Sequence, residues 1–214
     1  MKTTSAMSKM LRSIPLSIAI ALILMGCTLD QSRKSWQRQA AEKAYAELSG
    51  VKDDVKRGAI RDYVKALLAL EKGGDPDRQF LQGRTLLMMA VVRNDKETVE
   101  QLLSLDVYAD VDIADENDNT PLIVACEKNN VEVAKKLISA GAKVNLQNKK
   151  GMSALMASAM HGNIALFKCL MTAGADQSLK DKEGCLWGNY ATSGGHKEMI
   201  AVIVNAQPEK GERE

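Results

Sequence analysis

The chain has 214 residues and carries 29 Lys or Arg against 27 Asp or Glu, a formal net charge of +2. Three of the basic residues and none of the acidic ones fall within the first 26 positions, so the chain beyond them has 26 basic and 27 acidic side chains. A near-neutral chain without a stripe of Lys and Arg argues against nucleic-acid binding. Its length is that of a single domain.

The N-terminus has the pattern of a targeting segment. Lys2, Lys9 and Arg12 precede an apolar run over residues 14–25, and the first acidic residue is Asp30. The run is shorter than the roughly 20 residues that a membrane-spanning helix needs. It therefore predicts a leader that is removed rather than a helix that crosses a bilayer.

This leader ends in a short motif that places a cysteine at the cleavage point. The sequence Leu24-Met25-Gly26-Cys27 resembles a bacterial lipobox. The resemblance implies a lipoprotein signal peptide over residues 1–26, a lipidated Cys27, and a polar tether over residues 27–34. No Asp follows Cys27, which by the same resemblance implies the periplasmic face of the outer membrane. The alternative is an ordinary signal peptide or a membrane anchor that ends in a chance cysteine.

Two helical stretches are predicted between this tether and residue 77. Residues 35–48 are rich in Ala, Glu, Lys and Gln, which favour a helix, and Ser49-Gly50 ends it. Residues 53–74 end in Gly73-Gly74 and are interpreted as a pair of capping helices, a degenerate first repeat. Such a cap would cover the apolar face of the first repeat that follows.

A repeat of 33 residues dominates the rest of the chain. The segment Thr120–Cys126 is answered by Ser153–Ala159 and, more weakly, by Leu186–Thr192, each 33 positions on; Thr85–Val91 precedes it at a spacing of 35. Each segment is followed by a second apolar stripe at helical spacing. A period of this length predicts stacked helix pairs rather than one closed globule.

The repeat unit resembles the ankyrin repeat. Its second copy has Thr120-Pro121-Leu122 and closes on Gly141-Ala142, and its third closes on Gly174-Ala175-Asp176. The first copy has Asp106 where the closing glycine should be. The resemblance covers residues 78–206, about four repeats, and leaves a polar C-terminal tail over 207–214. It implies an all-α solenoid of stacked helix pairs with short turn tips, preceded by N-terminal capping helices.

The sequence contains no set of residues typical of catalysis. It lacks a Gly-rich phosphate loop and a Cys-x-x-Cys pair, and it has two histidines, His161 and His196. The acidic stretch 110–118 lacks the glycine and the terminal glutamate of a helix-loop-helix calcium site. We therefore expect a non-enzymatic protein without metal or cofactor. The rival is an enzyme or metal-dependent module in the N-terminal helices or the fourth repeat, for which Trp187, Tyr190 and His196 would be the candidate residues.

The cysteines and methionines are interpreted as core residues with few exceptions. Cys126 and Cys169 are expected to be buried thiols, and Cys185 lies in a turn where it can be exposed. The family resemblance gives His196 a structural role, in which its imidazole ties adjacent turns. Met152, Met160 and His161 are expected at exposed positions, where they would form a soft patch for a partner.

The resemblance implies a concave surface lined by the turn tips and by the ends of the first helices. On this chain the surface runs from acidic tips in the second unit to basic tips in the third, which favours a partner of complementary charge. The alternative is that these charged residues only face solvent and bind no partner. The candidate partner-binding residues are Glu116, Asn117, Asn119, Glu127, Lys128, Lys149, Lys150, Met152, Met160, His161, Lys182 and Glu183.

Together, leader and repeats predict a periplasm-facing protein that is held to the membrane by its lipid alone and binds another protein. An immunity protein that neutralises a secreted toxic enzyme, such as a lipase, is the favoured role by analogy with small lipid-anchored solenoids. A scaffold or stability factor for a resident envelope enzyme is the alternative. The sequence does not identify the partner or the oligomeric state.

Overall fold

The computed structural model describes residues 36–48, 54–104 and 109–205, and these form ten α-helices and no β-strand. The predicted leader, Cys27 and the C-terminal tail lie outside the described residues, as do Ser49-Gly50 and Asp106. The chain divides into two compact units, Met1–Gly74 and Asp75–Glu214. None of the helices in the described ranges combines the length and the apolar character that crossing a bilayer requires.

The first unit is an antiparallel pair of helices, α1 (Trp36–Leu48) and α2 (Asp54–Glu71). The small residues Ala41 and Ala44 of α1 are buried and allow the two helices to approach closely. An ion pair of 3.0 Å joins Arg38 Nε near the start of α1 to Glu71 Oε1 at the end of α2. A helix thus lies at residues 36–48, where the composition predicts one.

The predicted pair of helices over residues 53–74 is wrong, because the segment forms the single helix α2 of 18 residues. Gly58 costs an isolated helix about 1 kcal/mol relative to alanine. This cost is tolerated here because Tyr63, Val64 and Leu67 form a continuous apolar stripe that is completely buried. No proline lies between Gly58 and Gly73 to break the helix. Gly73, just after the end of α2, has a left-handed φ of 77°.

The second unit is a stack of four helix pairs. The first helices of successive pairs pack on one another, and so do the second helices of the first three pairs. This arrangement confirms the predicted all-α solenoid. The pairs are α3 (Leu86–Arg93) with α4 (Lys96–Leu102), α5 (Pro121–Glu127) with α6 (Val131–Ser139), α7 (Ala154–Met160) with α8 (Ile164–Thr172), and α9 (Trp187–Ser193) with α10 (Lys197–Asn205).

The first helix of each of the first three pairs begins at a hydroxyl residue. The side-chain oxygens of Thr85, Thr120 and Ser153 each accept a hydrogen bond from the backbone N–H three residues on, which satisfies an orphan donor of the first turn. The fourth pair departs from this rule, as its missing Thr-Pro-Leu predicts. Here Asn189 Oδ1 accepts a hydrogen bond of 2.9 Å from the N–H of Leu186.

Core residues fill the first helices of the first three pairs almost completely, because each is enclosed by its own partner and by its neighbours in the stack, whereas α9 of the last pair buries only Ala191. Ala125, Ala157 and Ala159 are fully buried, and their small side chains let the helices pack closely. The second helices bury only one stripe, which in α6 is Val133, Ala134 and Leu137 and in α8 is Leu166, Phe167 and Leu170.

Two predicted core residues of α8 are less buried than expected. Cys126 in α5 is fully buried, as predicted, but Cys169 and Met171 are half-buried. Both flank Leu170, which points into the stack, so they lie at the edge of the apolar stripe rather than in it. Trp187, named in the rival enzyme hypothesis, packs on Phe167 with ring centroids 4.7 Å apart.

Candidate protein-binding groove

Each repeat begins with a five-residue turn, here called a tip, whose first and last residues are joined by a backbone hydrogen bond. The bond runs from the N–H of the first residue to the carbonyl of the fifth over 2.8–3.0 Å. In the last three tips the first side chain, Asp115, Asn148 or Asp181, also accepts two backbone N–H groups of its own tip. The four tips are 80–84, 115–119, 148–152 and 181–185.

The tips are joined to one another along the stack by backbone hydrogen bonds. The N–H of Glu116 donates to Gln82 O over 3.0 Å, that of Lys149 donates to Asn117 O over 2.9 Å, and that of Lys182 donates to Lys150 O over 3.1 Å. A fourth link runs from Asn148 Nδ2 to Asn119 Oδ1 over 2.8 Å. The tips therefore form one strip of fixed spacing. Because the strip is already ordered, a partner that binds it causes little loss of conformational entropy.

Seven of the predicted partner-binding residues are exposed and five are half-buried. The half-buried residues are Asn119, Glu127, Met152, Met160 and His161. The exposed ones are Glu116, Asn117, Lys128, Lys149, Lys150, Lys182 and Glu183. Because they lie on the joined tips and at the ends of the first helices, the structure brings the predicted set onto one side of the stack.

His161 is less free than the sequence predicts. Its Nε2 lies 2.8 Å from the carbonyl oxygen of Glu127, so the imidazole links the ends of α7 and α5. The carboxyl group of Glu127 is half-buried beside this link, and its pKa is raised mainly by loss of hydration. Lys128 and Lys150 act in the opposite direction. A poorly hydrated acid thus lies where the first helices of the second and third repeats end.

His196 lies against the turn of the preceding repeat. Gly162 has a φ of 64°, and a β-carbon added there would lie 2.4 Å from Cγ of the His196 ring. The imidazole therefore fits over a glycine that has no side chain. This contact fits the structural role that the family resemblance gives His196, in which the imidazole ties adjacent turns.

Carboxylates of the acidic stretch at residues 110–118 form an ion pair and hydrogen bonds with residues of the turns. Asp112 pairs with Lys143 Nζ at 3.5 Å and also accepts the backbone N–H of Lys143. Asp115 is buried and accepts the N–H groups of its own tip. These bonds give the carboxylates structural partners within the repeats.

The charged ends of the lysines on the third and fourth tips are available for a partner. Lys150 and Lys182 form no ion pair with any described residue, and Lys149 donates to the carbonyl oxygen of Glu116. The acidic second tip and the basic third tip thus give the strip the charge gradient that the sequence predicts. The fourth tip is mixed, with Lys182 beside Glu183.

Sequence reasoning missed two features of the tips. Leu81 is 73% exposed on the first tip, which was not recognised because Thr85 stands 35 residues before Thr120 and so departs from the 33-residue spacing. A glycine two residues before the helix start would have located this tip, since Gly83 matches Gly151 and Gly184. Tyr190 was noted only as a candidate enzyme residue, although its hydroxyl donates to Asp181 Oδ2 over 2.7 Å.

The Tyr190–Asp181 bond sets the charge state of both groups. The hydroxyl of Tyr190 is the main cause of the lowered pKa of Asp181, which is therefore a stable anion. Burial, followed by Asp181, raises the pKa of Tyr190, so the phenol keeps its proton. A neutral tyrosine held by an ionised aspartate is a fixed structural pair, and it supplies no base that titrates near neutral pH.

Helix pairs stacked behind a joined strip of turn tips define a repeat protein with an extended binding face. A family model of ankyrin repeats in three copies matches residues 54–148 and 141–213. The chain therefore belongs to the ankyrin repeat family. Proteins of this family are generally non-enzymatic binding modules, and its repeats imply an interaction with another protein.

Matches to proteins of known identity cover only short segments of those proteins. The poly [ADP-ribose] polymerase tankyrase of Caenorhabditis elegans is 37% identical over 100 residues, 41% of this chain and 4% of that protein. Alpha-latrotoxin-Lg1a of Latrodectus geometricus is 39% identical over 61 residues, 28% of this chain and 4% of the toxin. The chain thus spans about 4% of the length of these relatives.

Proposed function

We propose that this protein binds a folded protein partner on its strip of joined tips, at the periplasmic face of the outer membrane, where the lipid on Cys27 holds it. The observation that carries the binding role is the hydrogen-bonded strip itself, with Lys149, Lys150 and Lys182 exposed on it. Its geometry is fixed before binding, so association loses little conformational entropy. Its charges steer the partner and set its orientation.

The proposed biological role is that of an immunity protein, which blocks a toxic enzyme delivered by neighbouring cells. Support for this role comes from the lipobox-like sequence around Cys27. Acyl chains on that cysteine would add about 0.8 kcal/mol per buried methylene and would hold the protein where an enzyme that attacks lipids works. Blocking requires a tight, rigid surface over an active site, and a strip with fixed spacing provides one.

The experiment that tests this role is a capture with the unlipidated mature chain, Cys27→Ser, on beads. Culture supernatant from secreting cells and envelope extract are passed over it in parallel. Tight capture of one secreted enzyme, with loss of that enzyme's activity, is the expected result. Capture of a resident envelope enzyme that stays active would instead make the protein a scaffold, and would overturn the immunity role.

A further inference from the structure

A cavity of about 330 Å³ opens at the C-terminal end of the strip. It is lined by the fourth tip, by α9 and by the end of α7, through Met160, Asp181, Glu183, Cys185, Asn189 and Tyr190 among others. Its volume is at the small end of the roughly 300–1,000 Å³ typical of ligand sites. Every lining residue belongs to a tip or to a first helix, so the cavity opens on the same face as the strip.

The cavity holds two carboxylates that have no cationic partner. Oxygens of Asp181 and Glu183 come within 4.8 Å of one another. Lys180 and Lys182 flank these residues in sequence and are exposed, yet neither forms an ion pair with either carboxylate. The side chain of Glu183 accepts no hydrogen bond from a described residue, so its oxygens are available to a ligand.

The other walls of the cavity suit a flat, polarisable cation. Tyr190 supplies an aromatic ring, on which a guanidinium can stack, and the hydrogen bond to Asp181 fixes the position of that ring. Met160 supplies an adaptable thioether for the apolar stem of a long side chain. A guanidinium also presents two parallel N–H donors that can bridge neighbouring carboxylate oxygens.

A metal ion fits these residues less well than an organic cation does. Asp181, Glu183 and Cys185 each offer a ligand atom to one point, and no other described group of this kind occurs. The carboxylate of Asp181, however, already accepts hydrogen bonds from Tyr190 Oη and from the backbone N–H groups of Glu183 and Cys185. A metal would have to displace bonds that hold the tip together.

We infer that this cavity receives an arginine side chain of the protein partner, with the guanidinium between Tyr190 and the carboxylates of Asp181 and Glu183. This inference rests on the proposed binding function and adds to it the chemistry of one contact. It makes the two carboxylates of the mixed fourth tip the end point of a strip whose third tip is basic. The partner surface must therefore present an arginine beyond the acidic patch that faces Lys149 and Lys150.

The test uses the unlipidated mature chain with ¹³C-labelled methionine methyl groups and two probes, N-acetyl-arginine amide and its uncharged analogue N-acetyl-citrulline amide. The Met160 methyl signal is assigned with Met160→Leu. Arginine amide is expected to shift that signal saturably, and citrulline amide to leave it in place. Glu183→Gln should weaken arginine binding by roughly threefold to tenfold, the effect of losing one charged partner. Glu198→Gln, an exposed acid of α10, should change nothing.

Three results would overturn the inference. The Met160 signal could stay in place with arginine amide, which would mean that arginine does not bind in the cavity. It could also move equally with citrulline amide, which would mean that binding does not depend on the positive charge. It could also move with micromolar Zn²⁺ or Ca²⁺ in a way that blocks arginine, which would make the cavity a metal site. Capture of a partner on beads together with any of these results would leave the proposed function intact.

Discussion

At the scale of single residues, neighbouring repeats are joined by contacts between a histidine side chain and the backbone of the preceding repeat. The imidazole of His161 reaches the carbonyl of Glu127, and the ring of His196 covers Gly162. The second contact is indicated by the sequence, because the family resemblance gives His196 the role of tying adjacent turns. The contact of His161 with Glu127 is not indicated by the sequence. Its acceptor is a backbone carbonyl, which every residue has, so no residue type marks the partner of the histidine.

Gly162→Ala tests the contact with His196. Alanine at a φ of 64° costs about 1–2 kcal/mol, and displacing the ring adds about 1–3 kcal/mol, so a total loss of about 2–5 kcal/mol is expected. Gly174→Ala is the matched control, since its φ is also positive but nothing lies within 4 Å of the added β-carbon. Urea unfolding should give about 1–2 kcal/mol for this control. Equal losses would show that the ring does not matter.

At the scale of elements, the sequence predicts the helix pairs well because their signals are local. Hydroxyl residues mark the starts of α3, α5 and α7, and apolar spacing marks the stripes of α6 and α8. The division of residues 53–74 into two helices fails because Gly73-Gly74 was taken to close a second helix, whereas α2 continues through Gly58. The first tip was missed because Thr85 departs from the 33-residue spacing that locates the other tips.

The end of α5 carries a pH-dependent cost to stability. Burial raises the pKa of Glu127, and a carboxylate at a helix C-terminus also opposes the helix dipole. A raised pKa in the folded state means that the folded protein binds the proton more tightly, so stability is gained as pH falls through that pKa and is lost above it. Glu127→Gln should therefore raise the Tm at pH 7, and the difference from the parent protein should shrink toward pH 4.

Glu132 in α6 provides a control of opposite sign for this experiment. Its hydrogen bond with Lys96 lowers its pKa, so its contribution to stability is present at neutral pH and is lost as pH falls. Glu132→Gln should lower the Tm at pH 7 slightly, because the pair is exposed. A Glu127→Gln variant that melts below the parent protein at pH 7 would contradict the assignment of a poorly hydrated acid to the groove.

The third tip should contribute to binding and not to folding. Changing Lys149 and Lys150 together to Glu is expected to weaken the captured partner's binding by about tenfold or more, through slower association, and to leave the Tm unchanged. Lys135 and Lys168 lie exposed on the second helices, so the same double change there is the control. Surface plasmon resonance at two salt concentrations measures the effect. Parallel losses in binding and Tm would show that the tip lysines are structural.

At the scale of the whole molecule, the number of repeats and the row of turn tips were predictable, but the composition of the cavity at the end of that row was not. A solenoid is the sum of local units and neighbour contacts, so a period of 33 residues is enough to predict its architecture. The Asp181–Tyr190 cavity forms between a tip and a helix nine residues away and also uses Met160 of the preceding repeat. Its composition depends on how repeats stack, which sequence spacing does not specify.

In the proposed function the leader and Cys27 hold the strip of joined tips at the membrane, and Cys27→Ala tests this role in cells. Lipidation and cleavage both require the thiol, so the variant should leave the membrane fraction, or should keep its leader and migrate as a larger precursor on a denaturing gel. Cys185→Ala, which changes a half-buried thiol in the fourth tip, is the control and should fractionate like the parent protein. Metabolic labelling with an alkyne fatty acid, which should mark the parent and the control alone, measures lipidation directly. Membrane fractionation and labelling that survive Cys27→Ala would mean that the chain reaches the membrane by another route, and the immunity role would lose the observation that supports it.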